Sequence, residues 1–431
     1  MSPAWRPTPA LIRAGLASLT LAGIGVVAGR PDLLVLAAPL LVLAAGGLLH
    51  RPVRVPGTDS RLLHASLREG EGTLVRCAVT DAGDVEHAVV ALTRHQHLAY
   101  QPPYGVRGVT ARPGAAAVTV DIPVSPLRWG RRAAGDGLVA ATSGWAGFRS
   151  GPVELRPHTL TTLPMPGLFD TTAPTPHPIG LVGTNPARRT GDGTDFASIR
   201  PFNPGDRLRR VQWRVSLRTG ALHVTSTHSE EDSSILLVVD AVADIGVGEG
   251  VHGRPSSLDV AVRAAGAVAE HYLRRGDRVG LRVLGTTQRS TVSMGAGTRH
   301  LRRVLDTLAH IVPGGDRHVN PNRMQFGLSA GTVVIVLSPM LSDEAVGATL
   351  VLAQRGLSVI VVDTLPADLD LGQDDPRLRV AWRLRSLERD ALLPKVQKAG
   401  VPVVAWRGPG TLDEVLRRLG RRASLPTLVR R

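Results

Sequence analysis

Lysine is almost missing. Only Lys395 and Lys398 occur, and arginine supplies the rest of a +15 net charge. Aromatic residues make up 3% of the chain. Recognition of nucleic acid by stacking needs aromatics interleaved with basic residues on one element, and here the arginines are scattered. Composition bias in a chain rich in Ala, Gly, Val and Leu, together with arginines near apolar segments, explains the charge, and attraction to anionic lipid headgroups fits it better than nucleic acid does. A single cysteine, Cys77, excludes an intramolecular disulfide and a Cys-based zinc site. There is no Walker-type glycine loop and no Gly-x-Ser-x-Gly elbow, and Gly295-Ala296-Gly297 stands alone. His87, His95 and His97 have no carboxylate cluster beside them. No catalytic residue is assigned, and the expectation is a protein that is not an enzyme.

Two long apolar runs are present, Leu11 to Ala28 and Leu33 to Leu49, with Arg13 the only charge in either. Each is long enough to cross a hydrocarbon core of about 30 Å as a helix. The short link Gly29-Arg30-Pro31-Asp32 makes them an antiparallel hairpin, residues 1–54. A signal peptide is the competing reading of the first run, and the second run directly behind it argues against cleavage. Arg6 and Arg13 at one end and Arg51 and Arg54 at the other lie on the same side of such a hairpin. The positive-inside rule then places both ends, and all that follows, in the cytoplasm: a multi-pass protein of the plasma membrane.

Residues 55–165 alternate in short stretches, such as Thr73 to Val79 and Ala117 to Val124, between Gly, Pro and Asp turn signals. A β-sandwich-like middle domain is expected. Prolines at 164, 166, 174, 176 and 178 then mark a linker over 166–190.

Residues 191–232 carry the least generic pattern. Asn203-Pro204-Gly205-Asp206 is a turn signal, and Val211, Trp213 and Val215 alternate as in a strand. Arg200, Arg207, Arg209, Arg210 and Arg214 are expected to face Asp195, Asp206, Glu230, Glu231 and Asp232 through guanidinium forks, and Trp213 is expected to anchor a core. Asp195-Phe196, Arg200, Pro204-Gly205-Asp206, Arg209 and Trp213, in that order, resemble the signature of the "domain of unknown function 58" family. The resemblance implies this same architecture: a membrane hairpin, a β-rich region, the signature, and a von Willebrand factor A-like domain. It further implies a protein partner, a MoxR-type AAA+ ATPase or its clients.

From residue 233 onward strands and helices alternate. Apolar strands end at Asp240, Ser338 and Asp363, and helical periodicity covers Ser257 to Arg274, His300 to Ile311, Asp343 to Gln354 and Leu387 to Ala399. The expected fold is α/β, a doubly wound parallel sheet over 233–431 with its ligand edge at the strand carboxyl ends. The von Willebrand A-like reading places a divalent ion there, on an Asp-x-Ser-x-Ser motif. Here the sequence is Asp240-Ala241-Val242-Ala243-Asp244, and the motif is degenerate. Asp240, Asp244, Thr298 and Asp343 are the candidate ligands, with Mg²⁺ the ion. The expectation is a membrane-anchored adaptor that binds lipid and a protein partner and no nucleic acid. The alternative is a divalent-metal-dependent binding or sensor module.

Overall fold

The computed structural model describes residues 4–112, 114–171, 186–203, 206–230, 234–285, 291–314, 332–372 and 375–423, with side chains described outside 186–195, 197, 227–230 and 419–423. The chain forms two compact units. One holds Met1–Leu163 with Gly250–His252, and the other Pro164–Glu249 with Gly253–Arg431.

The first unit opens with helices α1, Pro9–Val27, and α2, Pro31–Leu49. Both are long and apolar enough to cross a membrane. Proline stands in the first turn of each, where its missing N–H costs no helical bond. Thr8 caps α1 by accepting from Leu11 N at 3.2 Å. Gly29 turns the chain at φ +63°, a conformation open to glycine. The buried residues of the pair are small (Ser18, Gly25, Ala37, Ala44 and Gly47), so the backbones approach closely. Leucines and valines such as Leu19, Val26, Val35 and Leu49 are exposed.

Three sheets follow. In one, strands run in the order Gly57–Leu62, Thr73–Thr80, Ala117–Pro126, Leu98–Tyr100. A second has the order Arg6–Pro7, Phe148–Leu155, Gly137–Ser143, Val85–Leu92, Val106–Thr110. The third joins Ser66–Arg68, His158–Leu163 and Gly130–Ala134. Period-two alternation sends Val75, Cys77, Val79, Val120 and Ile122 inward, where they form one core with Ala88, Val90, Val139 and Ala141. On the outer face Arg76 forks onto Asp121, both bonds at 2.7 Å. The histidines serve separate structural contacts: His87 meets Thr110 Oγ1 at 3.1 Å and His95 meets Asp136 Oδ1 at 2.6 Å.

The second unit is built on a six-stranded sheet: β1 Ser234–Asp240, β2 Arg278–Leu284, β3 Thr291–Gly295, β4 Val333–Ser338, β5 Ser358–Asp363 and β6 Val403–Ala405. Its order is β3-β2-β1-β4-β5-β6. Every neighbouring pair is parallel except β2–β3. The sheet is therefore mixed, and the expectation of an all-parallel sheet is corrected at its edge. The β3 strand is short, and polar Thr291 and Ser293 keep it from reading as an apolar run.

The helices of this unit are α3 Trp213–Thr219, α4 Ser257–Arg274, α5 Thr298–Ala309, α6 Asp343–Gln354, α7 Pro376–Lys398 and α8 Asp413–Ala423. Leu236, Val238, Val334, Val336 and Val361 pack with Ala345, Ala348 and Leu352 of α6 and Val396 of α7. The alternate residues, Ile235, Leu237, Ile335 and Leu337, are fully buried on the other face, where α4 crosses β1, β2 and β4 and meets α5. Burying each such side chain contributes about 1.5–3 kcal/mol. A capping box, Ser256 with Asp259, fixes the start of α4.

Two expectations are revised here. The start of the proline-rich linker is part of the α/β unit: Phe169 stacks on Trp406 at 5.7 Å between centroids, and Gly410 N donates to Asp170 O at 2.9 Å. Pro174, Pro176 and Pro178 lie outside the described residues. The segment at Val211–Val215 is no strand, because α3 begins at Trp213. Val211 and Val215 are also four apart, a spacing that suits a helical face as well as alternation does. Gly220, at φ +70°, closes the helix.

Candidate functional site

The carboxyl ends of β1, β4 and β5 bring Asp240, Ser338 and Asp363 to one edge of the sheet. Asp240 is 3% exposed. Its Oδ2 accepts from Ser338 Oγ at 2.7 Å and Ser342 Oγ at 3.1 Å, and its Oδ1 accepts from Val242 N at 3.1 Å. Burial pushes the Asp240 carboxyl above the usual carboxylate range. The three hydrogen bonds oppose that rise, and Glu344 adds to it. Ser338 Oγ also accepts from Met340 N at 2.8 Å, which holds Met340 at φ +53°. Ser342 caps α6 through Ala345 N.

Asp240 lies in the wall of a cavity of about 340 Å³, lined also by Ser342, Asp343, Glu344, Trp382 and Arg385. Trp382 and Arg385 come from α7, which Arg389 locks in place. The Arg389 guanidinium pairs with the Asp363 carboxylate, and its Nε donates to Pro339 O at 2.7 Å. Arg385 pairs with Glu388 at 3.0 Å. On the outer surface of the same helix Val380, Leu384 and Leu387 are exposed at spacings of four and three, one stripe of a helix.

Of the four residues expected to hold a metal ion, the structure brings two together. Asp240 and Asp343 line the cavity. Asp244 instead accepts from Leu258 N at 3.2 Å and helps cap α4. Thr298 sits at the other edge of the sheet. Because β3 is antiparallel, Gly295 pairs with Val279 near the start of β2, whereas Asp240 pairs with Leu284 at its end, a separation of about 17 Å along the strand. Among the described residues no three His, Cys, Asp or Glu side chains cluster as metal ligands. At Asp240 the hydroxyls of Ser338 and Ser342 both donate to the carboxyl.

The signature segment behaves differently from its expectation. Arg200 forks onto Asp206 with bonds of 2.8 and 2.6 Å. The pair raises the guanidinium's affinity for its proton and lowers that of the carboxyl. Asp206 also accepts from Asn203 N at 2.8 Å, and Asp206 N closes the turn on Asn203 O. Pro204, Gly205 and the side chains of Asp195, Glu230, Glu231 and Asp232 lie outside the described residues. Trp213 is no core anchor: it is 62% exposed, and Phe196 and Leu217 are exposed as well. Arg209 is also exposed.

Residues 198–376 match the family model described as "Protein of unknown function DUF58". That match takes in the end of the signature, the Asp240 edge and the start of α7. The chain is also similar to uncharacterized proteins of Mycobacterium tuberculosis and Mycobacterium bovis, 26% identical over 177 residues, which is 41% of this chain and 48% of each relative. It thus spans about half the length of the curated relatives it matches. Among solved structures, the cupredoxin domain of amoB from Nitrosocaldus yellowstonii overlaps 24% of this chain and 83% of its own length, at 13% identity and a TM-score of 0.16.

Sequence reasoning missed Ser342, Trp382 and Arg385 as lining the cavity with Asp240, and Arg389 as the partner of Asp363. For α7 a signal was present. Asp375-Pro376 is an N-cap followed by proline at the first helical position, and it starts the helix eleven residues before the expected Leu387. The serines carry no such signal, because only the fold joins loops 98 and 102 residues away from Asp240.

Proposed function

We propose that the chain is a membrane-anchored, non-enzymatic adaptor, held in the plasma membrane by α1 and α2 with its folded units in the cytoplasm. Its α/β unit is a von Willebrand factor A-like domain that docks a protein partner at the Asp240 edge. One observation carries the docking site: a buried carboxyl with no cationic partner among the described residues, in the wall of a cavity of about 340 Å³ lined also by Asp343, Glu344 and Arg385. A basic side chain of a partner is the group that complements it. It would pair with Asp240, draw that carboxyl back toward its charged form, and lie against Trp382. The exposed stripe Val380, Leu384 and Leu387 offers apolar contact beside it. The partner class implied by the family resemblance is a MoxR-type AAA+ ATPase or its clients.

Further features support this reading. The strand order, with one antiparallel edge strand, suits a von Willebrand A-like sheet. Cys77 is buried, with its thiol pushed up to about 11, which disfavours the thiolate form a nucleophile needs.

The test is co-purification of the full chain from its native membrane, wild type beside Asp240→Asn and beside Asp343→Lys/Glu344→Lys. Recovery of an AAA+ ATPase with the wild type and its loss in both variants supports the reading. Equal recovery from all three would move the docking surface elsewhere, and recovery of no ATPase would remove the assigned partner class.

A further inference from the structure

The two helices are not tethered to the β-rich unit by a free linker. They are pinned to one turn of it, Gly144–Gly147, from both sides. On the α1 side, Arg6 and Pro7 pair in register with Arg149 and Phe148. Thr8 N donates to Gly147 O at 2.9 Å, and Thr8 Oγ1 donates to Ala146 O at 2.8 Å. On the α2 side, Gly46 and Gly47 let the turn come so close that a Cβ on Gly46 would lie 2.8 Å from the Trp145 ring, and one on Gly147 would lie 2.8 Å from Gly47 Cα. The chain leaving α2 is fixed as well. Asp84 accepts from Val53 N and Arg54 N at 2.9 and 3.1 Å, and Trp5 Nε1 donates to Arg54 O at 2.6 Å.

Trp145 stands out within this turn. It is 50% exposed, at φ +58°, with Ala146 following at φ +50°. Two successive residues with side chains in the left-handed region are uncommon, and here they set the indole against Gly46 and near His50, at 6.3 Å between ring centroids. Gly46 is three residues from the end of α2, so the indole overlaps the last turn of an apolar helix, about 5 Å inside its end. That is the depth at which tryptophan partitions in a bilayer, with its ring in the apolar boundary and its N–H toward the headgroups. Arg6 and Arg149, paired beside the turn, and Arg51 and Arg54, just past the end of α2, are exposed, and the ion pairs among the described residues engage none of them.

We propose that the Gly144–Gly147 turn is an interfacial lipid site: Trp145 sits in the headgroup boundary, Arg6, Arg51, Arg54 and Arg149 meet the phosphates of anionic phospholipids, and the β-rich unit is seated on the bilayer surface. The proposal rests on the reading of α1 and α2 as membrane-spanning. It adds a defined depth, a lipid class and a rigid connection.

The full chain is reconstituted into phosphatidylcholine vesicles containing a minor fraction of phosphatidylglycerol, with bromine on the acyl chains of one lipid or the other. Tryptophan emission is compared between wild type and Trp145→Phe. The expected result is a blue-shifted component in the wild type that is quenched more strongly when phosphatidylglycerol carries the bromine, and that is lost in Trp145→Phe. Replacing Arg6, Arg51 and Arg54 with Gln is expected to equalise quenching by the two lipids. Stable integration with identical quenching in wild type and Trp145→Phe overturns the proposal, and equal quenching by both lipids in the wild type overturns its headgroup assignment. Failure of the chain to resist alkaline extraction from the vesicles would instead remove the membrane reading beneath it.

Discussion

Ser338 Oγ donates to Asp240 Oδ2 at 2.7 Å, joining the ends of β4 and β1 across 98 residues of chain. That bond orients a carboxyl which burial holds above its ordinary range. The same hydroxyl accepts from Met340 N and so shapes the rim of the cavity.

The buried carboxyl makes stability depend on pH. With its folded pKa raised, the native state keeps a proton that the unfolded chain has already released. Stability therefore falls as pH rises from the unfolded carboxylate range through the folded value. Asp240→Asn removes the ionisation and keeps one oxygen acceptor, enough for Val242 N or for the serine hydroxyls but not for both. It is expected to flatten the decline of Tm as pH rises above the ordinary carboxylate range, as read by thermal denaturation. A Tm that falls with pH as steeply in the variant as in the wild type would show that another group carries the pH dependence.

Ser338→Ala removes a donor to Asp240 and leaves Met340 N without its acceptor. A loss of about 1–3 kcal/mol in urea unfolding is expected, the usual cost of unsatisfied buried polar groups.

Arg389 and Asp363 are both largely buried, with side chains 11% and 20% exposed. Arg389→Met strands the carboxylate and releases Pro339 O. A cost of about 3 kcal/mol is expected, the lower end for breaking a buried pair, together with faster amide exchange over residues 376–390. Unchanged exchange there would mean that α7 is held by other contacts.

Trp213→Ala is expected to change stability by no more than about 0.5 kcal/mol, as a surface substitution does. Should it cost several times that in denaturant titration, Trp213 would be a packing residue after all.

Mg²⁺ at millimolar concentration is expected to leave Tm unchanged within about 1 °C, since saturating a real site would stabilise by RT ln(1 + [L]/Kd). A rise that disappears in Asp240→Asn would restore the metal-dependent reading.

Much of the α/β unit was legible because β1, β4 and β5 are continuous apolar runs closed by Asp240, Ser338 and Asp363, and a strand buried on both faces has few other readings. The apolar helices were legible from length alone. The antiparallel edge strand β3 escaped because its five residues mix Thr, Ser and Gly with Val and Met. The placement of Thr298 failed for the same reason: a strand reversed in direction sends the next loop to the opposite edge. Trp213 was misassigned because a two-residue period over five positions cannot be told from a helical four-residue repeat. The pinning of both ends of the helical hairpin by Gly144–Gly147 has no local signature, since it joins Thr8 to a turn 138 residues away.

The most direct test of docking at the Asp240 edge is a photo-crosslinking amino acid placed at Leu384 of the full chain in its native membrane, with a control at exposed Leu138. Docking at the cavity predicts a single AAA+ ATPase adduct at Leu384 that vanishes when Asp240→Asn is added, and none at Leu138. An adduct at Leu384 unaffected by Asp240→Asn, or no ATPase adduct at that position, would contradict it.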